Sequence, residues 1–239
     1  MFFDPLYFAL MIPPLLFALW AGWRTKSSFK KYSRVRTLSG LTGAQAAQRL
    51  LAAAGIRDVQ IVPHQGMLSD HYNPMTKKLA LSEEVYGVPS VAAVGVACHE
   101  AGHAIQHARG YKALALRSAL VPTANIGSSL GYFVMFGGLI LMTMTGNVGF
   151  GQQVVLFGAI LFSAVLLFQL VTLPVEFDAS ARAKQLAFEH GIVMAQERDG
   201  MSKVLNAAAM TYVAAVVSTI GTLLYFLLRA GLLGGSNRE

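Results

Sequence analysis

Charge is what this chain has least of. Asp, Glu, Lys and Arg make up 13% of its 239 residues and hydrophobic residues 54%, whereas an ordinary globular domain is about a quarter charged. The deficit is concentrated. From residue 121 to residue 175 there is no Asp, Glu, Lys, Arg or His, which excludes a conventional water-soluble fold and implies a bilayer. Cysteine is nearly absent too: with Cys98 alone, no intramolecular disulfide can form. Internal repeats and low-complexity tracts are also missing. The net charge of +7 comes with no motif for reading nucleic acid. Six basic residues (Arg24, Lys26, Lys30, Lys31, Arg34, Arg36) instead gather just after the first apolar run, as suits a cytoplasmic flank facing anionic lipid headgroups. The expected partner is therefore the lipid bilayer and not nucleic acid.

What is present divides the chain into five stretches. Residues 1–23 read as an N-terminal transmembrane anchor, closed by the interface-type residues Trp20 and Trp23. Few basic residues precede it and no small-residue cleavage site follows, so it reads as a retained anchor and not a signal peptide. Residues 24–120 carry charge and turn signals and read as a part outside the hydrocarbon. There the pattern predicts a helix over 42–54, capped by Thr42 and stopped by Gly55, and strands over 59–62 and 78–81 with Asn73-Pro74 as the turn between them. A second helix is predicted over 90–108. Residues 121–173 read as a transmembrane hairpin turning at 146–153, each arm of about 20 residues being long enough to cross about 30 Å. Residues 174–203 hold a charged helix over 175–190, with Thr172-Leu173-Pro174 as its start signal and Gly191 as its stop. Residues 204–239 supply a fourth span and a tail. The basic flank after the first span, set against an uncharged hairpin turn, orients the 24–120 part toward the cytoplasm of a cell (plasma) membrane. Arg229 and Arg238 are a mild contrary signal.

The residues that carry chemistry are His99-Glu100-Ala101-Gly102-His103. Histidines four apart on a helix are separated by about 6 Å along the axis and share a face, so both can bind one ion. Zinc is the expected ion, with Glu100 beside the open position as general base. The plainer reading is a helix with ordinary surface or core histidines. Against it, two imidazoles and a carboxylate on an otherwise small, apolar helix are costly unless paired. His107 lies about 12 Å along the axis from His99 and cannot readily share its ion. Gln106 and Arg109 stand where a metzincin needs glycine and histidine, which excludes that class. His107 therefore reads as a residue that orients a ligand or as an exposed helix end. A catalytic zinc needs a third protein ligand. The hairpin returns the chain to the motif's side of the membrane near Glu176 and Asp178, which lie about 200° apart round a helix. Glu176 is taken as the third ligand; Asp178 is its competitor or a supporting acid.

Four ordered blocks carry a resemblance: Leu68-Ser69-Asp70-His71-Tyr72-Asn73-Pro74, Cys98 to His107 around the motif, Leu173-Pro174-Val175-Glu176-Phe177-Asp178-Ala179-Ser180, and Val204-Leu205-Asn206-Ala207-Ala208-Ala209-Met210-Thr211-Tyr212. With these the chain resembles the YugP-like membrane zinc metallopeptidases, and more distantly the HtpX and CAAX-prenyl-protease families. The resemblance implies a mainly helical α+β membrane protein with about four transmembrane helices and a zincin-like part made of a short sheet and the motif helix. It also implies a gluzincin-type site: two histidines and a downstream glutamate on Zn2+, with the motif glutamate as base. The distant relatives carry an aspartate where this chain has Ser180, leaving a hydroxyl in place of a charge; Asp178 or Asp70 could substitute in orienting a histidine.

Asp70-His71-Tyr72 has two readings. His71 or Tyr72 could donate to the oxyanion formed during hydrolysis, or the block could be a turn in which Asp70 caps backbone amides. By analogy with zincins, the 78–81 strand could pair with an extended substrate. Cys98 reads as a buried small residue, and Gly95 and Gly102 as sites of close helix packing. The expected function is a membrane-embedded zinc endopeptidase acting on membrane or membrane-proximal proteins. The alternatives are a zinc-binding scaffold or inactive homologue and, less favoured, an intramembrane protease. A transporter fits poorly, because the spans lack the ionisable residues of an ion path.

Overall fold

The structure is a computed structural model in which residues 4–233 are described; Arg238 lies outside them. The described residues are mainly helical with one small sheet, and among them four helices are long and apolar enough to cross a membrane. In chain order the elements are α1 (Pro5–Tyr32), α2 (Gly43–Ala53), β1 (Gln60–His64), β2 (His71–Asn73), β3 (Lys78–Ser82), α3 (Glu83–Tyr86) and α4 (Val91–Ala108). They are followed by α5 (Lys112–Ile126), a π-helical turn (Gly127–Gly131), α6 (Tyr132–Thr145), α7 (Val148–Glu189), a 3₁₀ turn (Ala195–Glu197) and α8 (Arg198–Arg229). Two compact units can be separated. One takes Leu116–Thr172 with the chain up to Trp20 and from Tyr212 onward; the other takes Ala21–Ala115 and Leu173–Thr211.

The second unit holds the sheet and the motif. Its sheet has the order β1-β3-β2, with β1 parallel and β2 antiparallel to the central β3. β2 is absent from the sequence reading, which joined 59–62 to 78–81 across Asn73-Pro74. That turn in fact closes the β2-β3 hairpin: Asn73 Oδ1 accepts from the Met75 and Thr76 amides at 2.9 and 3.2 Å. A strand of three residues is too short for alternation to reveal. The expectation that the 78–81 strand receives substrate is also corrected over most of its length, because β1 covers Lys78–Ser82 on one edge and β2 covers Lys78–Ala80 on the other.

The motif helix forms where the pattern predicts it. Ser90 caps α4, its hydroxyl accepting from the Ala93 amide at 3.2 Å. Thr42 and Gln45 close a reciprocal capping box on α2. The core joins Leu50, Leu51, Leu79, Leu81, Val91, Val94, Ala101 and Ile105 to Ala183, Ala187, Ile192 and Met201. Glu197 straps the unit together by accepting from the Leu38 and Met194 amides, each at 2.7 Å.

The first unit is built on close backbone contact. A Cβ on Gly131 would lie 2.9 Å from the Gly158 carbonyl oxygen, and one on Gly138 would lie 3.0 Å from that of Gly151. Only glycine permits such approach between apolar helices. The hairpin turn is tighter than the expected 146–153 break. α6 ends on Gly146 in the left-handed conformation (φ 67°), and Asn147 at once caps α7 by accepting from the Phe150 amide. α7 then continues unbroken to Glu189, so the fresh helix predicted at Thr172-Leu173-Pro174 is not a separate element. The Thr172 hydroxyl turns back to the Phe168 carbonyl at 2.7 Å instead of capping, and Pro174 sits inside the helix.

Candidate metal centre

α4 and the end of α7 bring three donors together. His99 and His103, one turn apart on α4, have ring centroids 4.7 Å apart. His99 Nε2 lies 3.2 Å and His103 Nε2 3.5 Å from the same Glu176 oxygen, Oε2. The donor atoms of the three residues all lie within 4.8 Å of one another. Zinc bonds of about 2.0–2.2 Å in tetrahedral geometry put ligand atoms about 3.3 Å apart, so the trio fits a zinc ion. Burial argues the same way. Glu176 is 2% exposed, and a carboxylate so enclosed needs compensating charge. The environment also raises the His103 pKa: burial alone would lower it, but the hydrogen bond to Glu176 and the charges of Glu100 and Glu176 outweigh that effect.

The ring nitrogens facing away from the trio are occupied too. His99 Nδ1 is hydrogen-bonded to Ser180 Oγ at 3.0 Å, so the hydroxyl standing where the distant relatives have an aspartate does reach a histidine. His103 Nδ1 meets Gln106 Oε1 at 3.0 Å. Asp178 does not join the three donors; it accepts from Gln106 Nε2 at 2.7 Å and from Arg182 Nε at 2.5 Å. Gln106 is the residue sequence reasoning missed. It is fully buried, and the available signal was an amide three positions after a motif histidine on an otherwise apolar face.

Glu100 is 8% exposed, and among the described residues no hydrogen bond engages its carboxylate. Neither oxygen is sealed from solvent without a partner, so water can reach it. Cys98, beside the motif, is fully buried and its thiol is pushed up to about 12 by that burial, leaving it inert at neutral pH.

The Asp70-His71-Tyr72 block has other partners. Asp70 accepts from the Ser82 amide at 2.7 Å and from its hydroxyl at 3.2 Å, pinning the loop before β2 to the end of β3. His71 Nδ1 bonds the Ser69 carbonyl, and its ring lies against His64. The Tyr72 hydroxyl is bonded to His107 Nδ1 at 2.9 Å. Tyr72 and His107 line a cavity of about 360 Å³ with Ile56, Asp58 and Lys77, so His107 serves this contact and not the donor trio.

Gly102 sets the spacing between α4 and α7. A Cβ there would lie 2.6 Å from the Ala179 carbonyl oxygen, between Glu176 and Ser180 along the chain. Because that oxygen is backbone, only a helix shift can relieve the clash. Gly102→Ala is therefore expected to destabilise the protein by about 1–3 kcal/mol and to weaken zinc binding. Denaturant unfolding with metal titration checks this, and a variant matching the parent in both would remove Gly102 from the account.

Similarity to known proteins agrees with this geometry. A family model described as "Putative neutral zinc metallopeptidase" matches residues 7–231. The chain is 43% identical over 223 residues to a Bacillus subtilis (strain 168) protein named "Putative membrane protease YugP", covering 93% of this chain and 96% of that protein. No solved structure matches it. A match over nearly the whole length, on a chain whose fold gathers two histidines and a glutamate and whose described residues include four helices apolar enough to cross a membrane, decides it: the chain belongs to this zinc metallopeptidase family.

Proposed function

We propose that the chain is a membrane-embedded, zinc-dependent endopeptidase of the gluzincin type, hydrolysing peptide bonds in membrane or membrane-proximal proteins. The observation that carries this reading is the convergence of His99 Nε2, His103 Nε2 and Glu176 Oε2 beside a Glu100 carboxylate that no hydrogen bond engages among the described residues. His99, His103 and Glu176 hold the metal. Zinc, when bound, supplies a Lewis acid that polarises a carbonyl and lowers the pKa of water to about 7. Glu100 takes the proton of the attacking water and returns it to the leaving amine. Family membership and the relative's printed name support a peptide substrate.

The purified protein in detergent is expected to carry about one zinc per chain and to cleave an unfolded membrane-protein substrate. Chelation should stop cleavage, and added zinc should restore it. Cleavage indifferent to chelation would sink the mechanism, and zinc without any cleavage would favour the scaffold reading. The intramembrane alternative is less favoured, because only eight apolar residues, Val91 to Cys98, precede the motif and polar Gln106, His107 and Arg109 follow it.

The metal centre is proposed to face the cytoplasm of the plasma membrane. The last turns of α1 hold Arg24, Lys26, Lys30 and Lys31, while the turn at Gly146 and Asn147 carries no charge. Arg229, the mild contrary signal, pairs with Asp4 at 3.2 Å, and it is outnumbered by the four basic residues in the last turns of α1. In a Cys98→Ser background, a membrane-impermeant maleimide added to intact cells should label a cysteine placed at Asn147 and spare one placed at Lys30. The reverse pattern would invert the topology.

A further inference from the structure

Gln106 is buried, lies outside the donor trio, and has all three of its polar contacts defined. Its amide nitrogen has two N–H groups. One points at the Val175 carbonyl oxygen at 2.8 Å and the other at Asp178 Oδ2 at 2.7 Å. Neither partner has a proton to give: a carbonyl only accepts, and so does an ionised carboxylate. Asp178 is itself held by the fork of Arg182, Nε on Oδ2 at 2.5 Å and Nη2 on Oδ1 at 3.2 Å. The Arg182 guanidinium in turn lies over the Tyr111 ring.

These partners settle which way the amide faces. Turned round, its oxygen would confront two acceptors and lose both hydrogen bonds, at a fully buried position where unmade bonds are costly. Oε1 therefore faces His103, and an amide oxygen can only accept. Nδ1 of His103, 3.0 Å away, must carry a proton. The neutral ring then has its lone pair on Nε2, the atom 3.5 Å from Glu176 Oε2. His99 is held differently. Its Nδ1 partner is the Ser180 hydroxyl, which can donate or accept and so imposes no tautomer.

We propose that Gln106 is a positioning residue which fixes His103 in the Nδ1–H tautomer with Nε2 free to bind metal, and that Asp178 and Arg182 act through it by locking its amide. The inference rests on the metal-centre reading above. It assigns the two histidines different degrees of constraint: His103 is preset, whereas His99 can adjust.

The test is zinc affinity by chelator competition, combined with ¹⁵N-histidine spectra of the zinc-loaded protein in detergent. Gln106→Met keeps side-chain volume and removes the amide acceptor, so zinc binding should weaken about 10- to 100-fold and the His103 Nδ1–H signal should shift and exchange faster with solvent. Asp178 is partly exposed, and its variants leave the core untouched. Asp178→Asn retains an oxygen for both Gln106 and Arg182 Nε and should bind zinc like the parent, whereas Asp178→Leu should weaken binding. Parent-like affinity and an intact His103 signal in both Gln106→Met and Asp178→Leu would overturn the relay while leaving the metal centre standing. A parent protein that takes up no zinc would overturn the metal centre and the relay with it.

Discussion

A Glu100→Gln protein is expected to bind zinc as the parent does and to lose about 10²- to 10⁴-fold in kcat/KM. Glutamine matches glutamate in size, so the motif helix has no reason to move. Glu100 is not one of the three converging donors, so metal content should hold. What disappears is the ability to accept a proton from water and return it to the amine. The checks are zinc content and cleavage rate on the same preparation. Equal rates in variant and parent would show that the proton goes elsewhere, and loss of zinc would show that Glu100 belongs to the coordination set.

Glu176→Ala should remove zinc itself. Structural zinc sites bind with about 10–16 kcal/mol shared over four ligands, so one ligand is worth about 3–4 kcal/mol, or about 10²- to 10³-fold in affinity. His103→Ala should lose a similar amount, because both residues supply donors to one cluster. Metal analysis of the parent beside the two variants compares them directly. Zinc lost from His103→Ala but kept by Glu176→Ala would exclude Glu176. Asp178 would be a poor replacement, since its oxygens are already engaged by Gln106 and Arg182.

Local signals read best where the physics is local. The cap on α2 depends on residues three apart, and Thr42, expected there, forms it; Ser90 does the same for α4, whose start at 90 the pattern predicts without assigning a cap. The facing of His99 and His103 follows from helical periodicity alone. Gly102 was legible as a contact site because a residue without a side chain on a buried helix face invites a neighbour; Ala179 is that neighbour. Local signals misled where they competed with distant ones. Thr172 and Pro174 make a plausible helix start in isolation, yet α7 runs through them as one helix. β2 has three residues whose partners lie across a turn, and nothing in its own composition marks it as a strand.

The sequence by itself determined that the chain is a membrane protein, since a bilayer-length run without charge has no stable place in water, and that His99 and His103 share one helix face with Glu100 beside them, since residues four apart at 3.6 per turn project together. The return of the hairpin pointed to Glu176 as the third ligand. Tertiary structure decided what surrounds them. Glu176 is 77 positions from His99 and Ser180 is 81, while Asp178 and Gln106 are separated by 72. Hydrogen bonds over such separations depend on helix packing, here permitted by the missing side chain of Gly102. Periodicity names the face of a helix; only packing names what that face meets.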